Sequence, residues 1–344
     1  MKTKRMNKKS NYLLIVTLLI GCQATISAQD LHFSQYFNSP LLVNPANTGF
    51  IPDGEYRVGI NYRTQWANIG NPYKTFSAYG DGQFFGNRFE NGWIGIGGAL
   101  LRDVAGSGNL TTTRAFGSVA YHQALGLGSL ISGGFNIGWI NKRVDFSKLT
   151  FDNQWNGKFF DIAAPSGEPF LANQVNYFTL QAGLNYAYYP NENTYLNVGF
   201  SASNINRPNE SFFSPALVDT RIPMRVTTFL NGSFRAGDMW IVNPNVYVSK
   251  MSTAWEVVGG VNGQRKLSDD GGTQLILGAY YRVTDALIPV VGFQQSGYKL
   301  TFSYDATAST LKNYNQTRGA YEVSIVKQGL IDKSRDLKCP AVRF

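Results

Sequence analysis

His32 and His122 are the only imidazoles in 344 residues, and their surroundings bound the chemistry this chain can perform. A Ser–His hydrolase needs one of them beside a serine and an orienting polar group. Only Ser118, four residues before His122, shares a strand face with it, and such a spacing arises readily by chance. Metal binding finds no better support, because two distant histidines and the cysteines Cys22 and Cys339 provide no ligand spacing. Asp269-Asp270-Gly271 resembles a calcium fragment but suits a tight turn. No glycine-rich phosphate loop precedes a helix, so nucleotide use is not expected. The sequence therefore predicts a protein that is not an enzyme and carries no cofactor or metal.

Residues suited to binding are more numerous. Residues 142–175 gather Phe146, Phe151, Trp155, Phe159, Phe160 and Phe170, and residues 205–223 add Phe212 and Phe213 between Pro208 and Pro215. Apolar clusters rimmed by polar groups mark binding surfaces, so these eight rings form the candidate partner-binding set. The competing reading folds loop 142–175 inward and buries its rings as a cap. A second candidate element is 29–55, where Phe33, Gln35, Tyr36, Leu41, Leu42, Asn44 and Pro45 stand out. It is too apolar to remain solvated, and Pro40, Pro45 and Pro52 prevent a regular strand. Such a segment should dock, either as a plug in the mouth or lumen of the remaining structure or against a partner.

The elements that position these residues begin after a leader. Lys2, Lys4, Arg5, Lys8 and Lys9 precede the apolar stretch from Tyr12 to Ile20, which is too short for a stable membrane anchor and reads as a signal peptide over 1–28. Cleavage after Ile26-Ser27-Ala28 competes with a lipoprotein-like box at Leu19-Ile20-Gly21-Cys22. Losing residues 1–28 removes five cations and no anion, lowering the formal charge from +9 to +4. No dense basic stripe remains, so nucleic acid is not an expected partner.

Beyond residue 55 the pattern is alternating. In Tyr56 to Arg63 the even positions are apolar or aromatic and the odd ones are Arg57, Gly59, Asn61 and Arg63. A period of two sorts side chains onto two sheet faces. The same sorting returns in Phe178 to Tyr188 and in Leu300, Phe302 and Tyr304. A soluble sandwich would carry more charge and shorter strands. Only 15% of residues are charged, while Gly (36), Tyr (19) and Phe (23) abound, so a membrane-spanning sheet is indicated. It must close into a barrel to pair every backbone N–H and C=O. Candidate strands lie near 56–66, 75–85, 91–102, 111–124, 127–141, 176–189, 194–204, 224–235, 239–250, 254–265, 272–283, 287–295, 298–306 and 319–327. The fold class is thus all-β, a transmembrane outer-membrane-type barrel of about 14 antiparallel strands, with a range of roughly 12–16. The expected divisions are signal peptide 1–28, plug-like segment 29–55, barrel 56–327 and tail 328–344. Aromatic residues near strand ends, including Trp66, Trp93 and Trp240, suit headgroup belts, although β-structure favours aromatics in any case.

Phe33-Ser34-Gln35-Tyr36 followed by Pro40-Leu41-Leu42-Val43-Asn44-Pro45-Ala46 and Gly49 resembles the opening of the PorP/SprF family of the Bacteroidetes type IX secretion system. Gly319-Ala320-Tyr321-Glu322-Val323-Ser324 and the terminal Cys339-Pro340 with Arg343-Phe344 are similar to the family's closing strand and terminus, although Ala341 and Val342 interrupt the latter. The resemblance implies an outer-membrane protein accessory to type IX secretion or to surface attachment of its cargo, and the alternation of short turns with long loops fits both termini periplasmic. It implies as partners a secreted adhesin-like protein with a type IX C-terminal domain, secretion-system components, a periplasmic peptidoglycan-binding protein and outer-membrane lipid. A separate reading takes Arg57, Arg63, Arg225, Arg235 and Lys299 as the lining of a plugged porin or hydrophobic-solute transporter.

Overall fold

The computed structural model describes residues 33–331, apart from 53, 68–69, 169–171, 214–218 and 269–270 and the side chains of 87 and 88. The expected leader with Cys22, as well as His32, Phe170, Asp269-Asp270 and the tail from 332 with Cys339, lies outside the described residues.

Fourteen antiparallel strands form one closed barrel, each bonded to its sequence neighbours and β1 to β14. They are β1 Tyr56–Gln65, β2 Tyr73–Phe89, β3 Gly92–Ala105, β4 Leu110–Gly126, β5 Ser129–Arg143, β6 Gln174–Asn191, β7 Thr194–Ser203, β8 Arg225–Ala236, β9 Trp240–Met251, β10 Ala254–Lys266, β11 Thr273–Arg282, β12 Ala286–Gln295, β13 Tyr298–Thr307 and β14 Arg318–Gly329. Pairing between sequence neighbours needs only hairpin connections, and closure leaves no open edge.

Burial is inverted relative to a soluble domain. On β1, Val58, Ile60 and Tyr62 are about half exposed while Asn61 and Arg63 are buried. On β2, Phe76 faces out while Thr75, Ser77 and Asp81 are buried. Inter-strand register carries the outer face around the wall, so that Ile60, Ala78, Leu100, Ala115, Trp139 and Phe178 form one lateral row across β1 to β6. An apolar exterior around a polar interior is favourable where the surroundings are hydrocarbon. Among the described residues no helix is long and apolar enough to cross a membrane.

Strand positions agree with the sequence pattern to within a few residues. β2 extends beyond 85 because a bulge between Phe84 and Phe89 lets Phe89 pair with Gly92. β14 reaches Gly329 rather than 327, since Gly329 pairs with Tyr56 and its carbonyl accepts from Glu55 N–H at 2.8 Å. That extension comes from chain closure, a contact between remote segments.

One rim holds the turns 90–91, 127–128, 192–193, 237–239, 267–272 and 296–297, together with the barrel ends Tyr56 and Gly329. The opposite rim holds 66–72, 106–109, 144–173, 204–224, 252–253, 283–285 and 308–317. They are termed the short-turn and long-loop rims below.

Candidate functional site

Residues 33–55 adopt short, proline-started turns. Pro40 begins a single helical turn, Pro40–Val43, and Asn44 ends it by donating its N–H to the Pro40 carbonyl at 3.1 Å. The Asn44 side chain then accepts from Ala46 N–H at 2.9 Å and caps the next turn, Pro45–Asn47. Proline fits these first positions because its missing N–H would be unpaired there.

The segment lies inside the ring of strands. Gln35 Nε2 donates to Ser303 on β13 at 3.0 Å, Asn44 Nδ2 donates to the Leu184 carbonyl on β6 at 2.9 Å, and Trp93 Nε1 on β3 donates to the Gly49 carbonyl at 2.9 Å. Contacts with strands on opposite sides of a closed barrel arise only from within it. Close approach is made possible by missing side chains: a Cβ on Gly95 would sit 1.8 Å from the Thr48 carbonyl oxygen, and one on Gly183 would sit 1.9 Å from Asn44 Oδ1.

A buried ionic network holds the first residues. Glu322 accepts from the Ser34 and Gln35 amides at 2.8 and 2.9 Å. Asp305 accepts from the Ser34 hydroxyl at 2.8 Å, while Arg63 and Arg282 both donate to that hydroxyl at 2.5 Å. Arg63 also reaches Asp305 at 2.9 Å and Glu322 at 3.3 Å, and Arg282 reaches Asp305 at 3.1 Å, Asp285 at 2.7 Å and Glu256 at 3.6 Å. Charges so deeply placed persist only when paired and hydrogen-bonded. Arg63, Arg282 and Asp305 stand at the long-loop ends of their strands, whereas Glu55 borders the short-turn rim. The described residues from Phe33 to Pro52 thus run along the luminal side of the strands, from the long-loop end toward the short-turn rim.

His122 belongs to this packing. It bonds Ser132 Oγ through Nδ1 at 2.7 Å and the Thr48 carbonyl through Nε2 at 2.8 Å, stacking with Trp93 at 4.8 Å and Phe50 at 5.9 Å. Ser118 pairs with the Thr48 hydroxyl at 2.6 Å. Of the suspected pore cations, Arg57 bonds Asp81 at 2.7 Å and the Asn47 carbonyl at 3.2 Å, and Arg225 bonds Ser249 at 2.7 Å and the Tyr247 hydroxyl. A cavity of about 90 Å3 remains beside Phe33, Tyr36, Leu42 and Val43, facing Arg114 and Ile140.

Of the candidate aromatic residues, Trp155, Phe159 and Phe160 are 50, 60 and 45% exposed on the long-loop rim. Trp155 and Phe160 pair across a small hairpin with ring centroids 5.1 Å apart. Buried Gln154 organises this loop, accepting from Phe151 N–H at 3.0 Å and donating to the Ala164 carbonyl at 2.9 Å. Hydrogen bonds from Ser147 hold the Asp145 carboxyl below its ordinary value and pin the loop's first turn. Phe146, Phe151 and Phe212 are half-buried, and Phe213 is exposed. Glu210 ties the second loop to the wall, accepting from Lys142 and Tyr177 at 2.5 Å each.

Gln35, Tyr36, Leu41, Asn44 and Pro45 are gathered in the lumen with Phe33, and Leu42 is half-buried beside them. Sequence reasoning missed Ser34, Asn38, Arg282, Asp305 and Glu322. For Arg282, Asp305 and Glu322 the signal was the polar phase of β11, β13 and β14, while Ser34 stood only as a member of the Phe33-Ser34-Gln35-Tyr36 motif; neither indicates which charge meets which.

A closed antiparallel barrel, apolar outside and polar within, defines an outer-membrane β-barrel protein. The chain belongs to the PorP/SprF family, whose description is type IX secretion system membrane protein PorP/SprF and which matches residues 25–326. Among curated proteins none matches this sequence. Similar solved structures include the Pseudomonas putida toluene transporter TodX (10% identity, TM-score 0.50, covering 87% of this chain and 94% of that one). Others are the Ralstonia pickettii toluene transporter TbuX (11%, 0.46, 85% and 94%) and a Pseudomonas aeruginosa FadL homologue (10%, 0.47, 83% and 92%). At such identity the likeness to TodX shows the fold alone.

Proposed function

We propose that this barrel is a docking protein of type IX secretion rather than a conduit. Residues 33–55 act as its plug, and the aromatic crown of the long-loop rim grips the C-terminal domain of a secreted, adhesin-like protein for export or attachment at the cell surface. The observation that carries this reading is the buried network joining Ser34 and Gln35 to Arg63, Asp305 and Glu322. A lumen crossed by an anchored segment leaves the exposed rings of Trp155, Phe159 and Phe160 as the surface available to a partner. The short-turn rim faces the periplasm, as in barrels with short periplasmic turns, and brings both barrel ends within reach of secretion-system components such as a peptidoglycan-binding protein. A transporter reading gains nothing from the lumen, where the suspected pore cations Arg57 and Arg63 are paired with carboxylates.

Pull-down from detergent-solubilised outer membranes tests the proposal. Wild type should retain a stoichiometric secreted partner, and a Trp155→Ala/Phe159→Ala variant should lose it while staying folded. Equal recovery with the variant would overturn the assignment of the crown.

A further inference from the structure

The outer wall carries a cationic groove at the long-loop rim that the docking role does not use. Val226, Lys250 and Trp255 lie in one register row at the ends of β8, β9 and β10. Lys250 is on the outward phase of β9, since Tyr247 and Ser249 are buried and Val246, like Lys250, is exposed. Its ammonium stands 4.7 Å from the centre of the Trp255 ring. Loop 204–224 folds beside this row and contributes Arg207 and Arg221, both exposed, with Ile222 and Met224. Together these residues line a groove of about 460 Å3. Asp219 also borders it, 3.8 Å from Arg221, leaving two cations in excess of that pair.

A lysine on the lipid face of a barrel is costly at mid-membrane and tolerated where it reaches the headgroups. Here three cations converge just beyond apolar Val226 and Met224, beside an interfacial tryptophan. We infer that this groove binds the phosphorylated headgroup of a lipid in the leaflet at the long-loop rim. The phosphate lies among Arg207, Arg221 and Lys250, while the acyl region follows Met224 and Val226 down the wall. Arginine supplies planar paired donors for phosphate oxygens, and lysine a point charge. The inference rests on the membrane embedding of the barrel and on the outward orientation of its long-loop rim proposed above, and is independent of the plug and of the crown.

Native mass spectrometry of the full-length protein in detergent, titrated with diphosphoryl lipid A, its dephosphorylated form and inorganic phosphate, provides the test. Wild type should hold lipid A about tenfold or more tightly than the Arg207→Gln/Arg221→Gln/Lys250→Gln variant, and should bind the dephosphorylated lipid as weakly as the variant binds lipid A. Lys250→Gln alone, which leaves the loop untouched, should show a smaller loss in the same direction. Heat-modifiable migration on gels verifies that each variant is a folded barrel. Unchanged affinity in both variants overturns the inference. So does an equal loss in a Lys74→Gln/Arg102→Gln variant at another part of the rim, because the site would then be diffuse. Competition by inorganic phosphate at the concentration of lipid A would identify a soluble-anion site and likewise overturn the lipid assignment.

Discussion

Glu322 and Ser34 lie 288 residues apart in sequence, yet the Glu322 carboxylate accepts the Ser34 amide at 2.8 Å inside the barrel. The same carboxylate faces Arg63 across the β1–β14 closure, where Arg63 and Glu322 are register partners. β14 therefore supplies both the closing seam of the barrel and an anchor for the segment inside it.

Glu322→Gln should weaken both. The substitution keeps the volume but leaves Arg63 with less compensation and removes a charged acceptor from two amides. Breaking a buried ion pair from one side costs about 3–5 kcal/mol. The expected outcome is a lower temperature for conversion to the heat-denatured gel band, with a folded barrel still forming. An unchanged midpoint would show that Asp305 alone suffices.

Gly95→Val should expel the turn at Thr48, since a Cβ there would stand 1.8 Å from a backbone oxygen. The strand ladder needs no side chain at that position, so the barrel should close. Planar-bilayer recordings should then show larger unitary conductance than wild type. Deleting residues 30–50 should raise it further, and wild-type conductance in the deletion would refute the plug.

His122→Ala removes hydrogen bonds to Ser132 and to the Thr48 carbonyl and leaves a hole between Trp93 and Phe50. Cavity and lost bonds together predict destabilisation of about 3 kcal/mol. Secretion of cargo should survive in cells at permissive temperature, because the imidazole lies buried within the wall packing and away from the exposed rings of the crown. A denaturation series followed by tryptophan fluorescence measures the first expectation, and a cargo-secretion assay the second.

Trp155→Ala should change stability by less than about 0.5 kcal/mol, as surface substitutions usually do. Its ring is half exposed and meets mainly Phe160. Partner retention should nevertheless fall. Thermal melts run beside the pull-down separate loss of binding from loss of fold, and a drop in both would argue that the hairpin is structural.

Local alternation determined most of the architecture. Strands such as β1, β6 and β13 show their two faces directly in sequence, because a two-residue period encodes which side meets lipid and which meets the lumen. Pro40, Pro45 and Pro52 likewise argued against a regular strand in 29–55, whereas the turns at Pro40–Val43 and Pro45–Asn47 came from the structure. The aromatic loops were visible as composition, but the outward placement of Trp155 depends on buried Gln154, whose bonds to Phe151 and Ala164 no periodicity reveals.

By itself the sequence determined a barrel of about fourteen strands with an apolar and a polar face, and it carried the expectations that the chain is exported and that residues 29–55 dock. Only the tertiary structure decided that residues 33–52 lie against the luminal side of the strands, that Arg63 and Arg282 meet Asp305, and that Arg207, Arg221 and Lys250 line one outer groove. The physical reason is range. Side-chain alternation is a property of neighbours along one strand, whereas charge pairing and luminal fit depend on barrel closure, which brings together residues hundreds of positions apart.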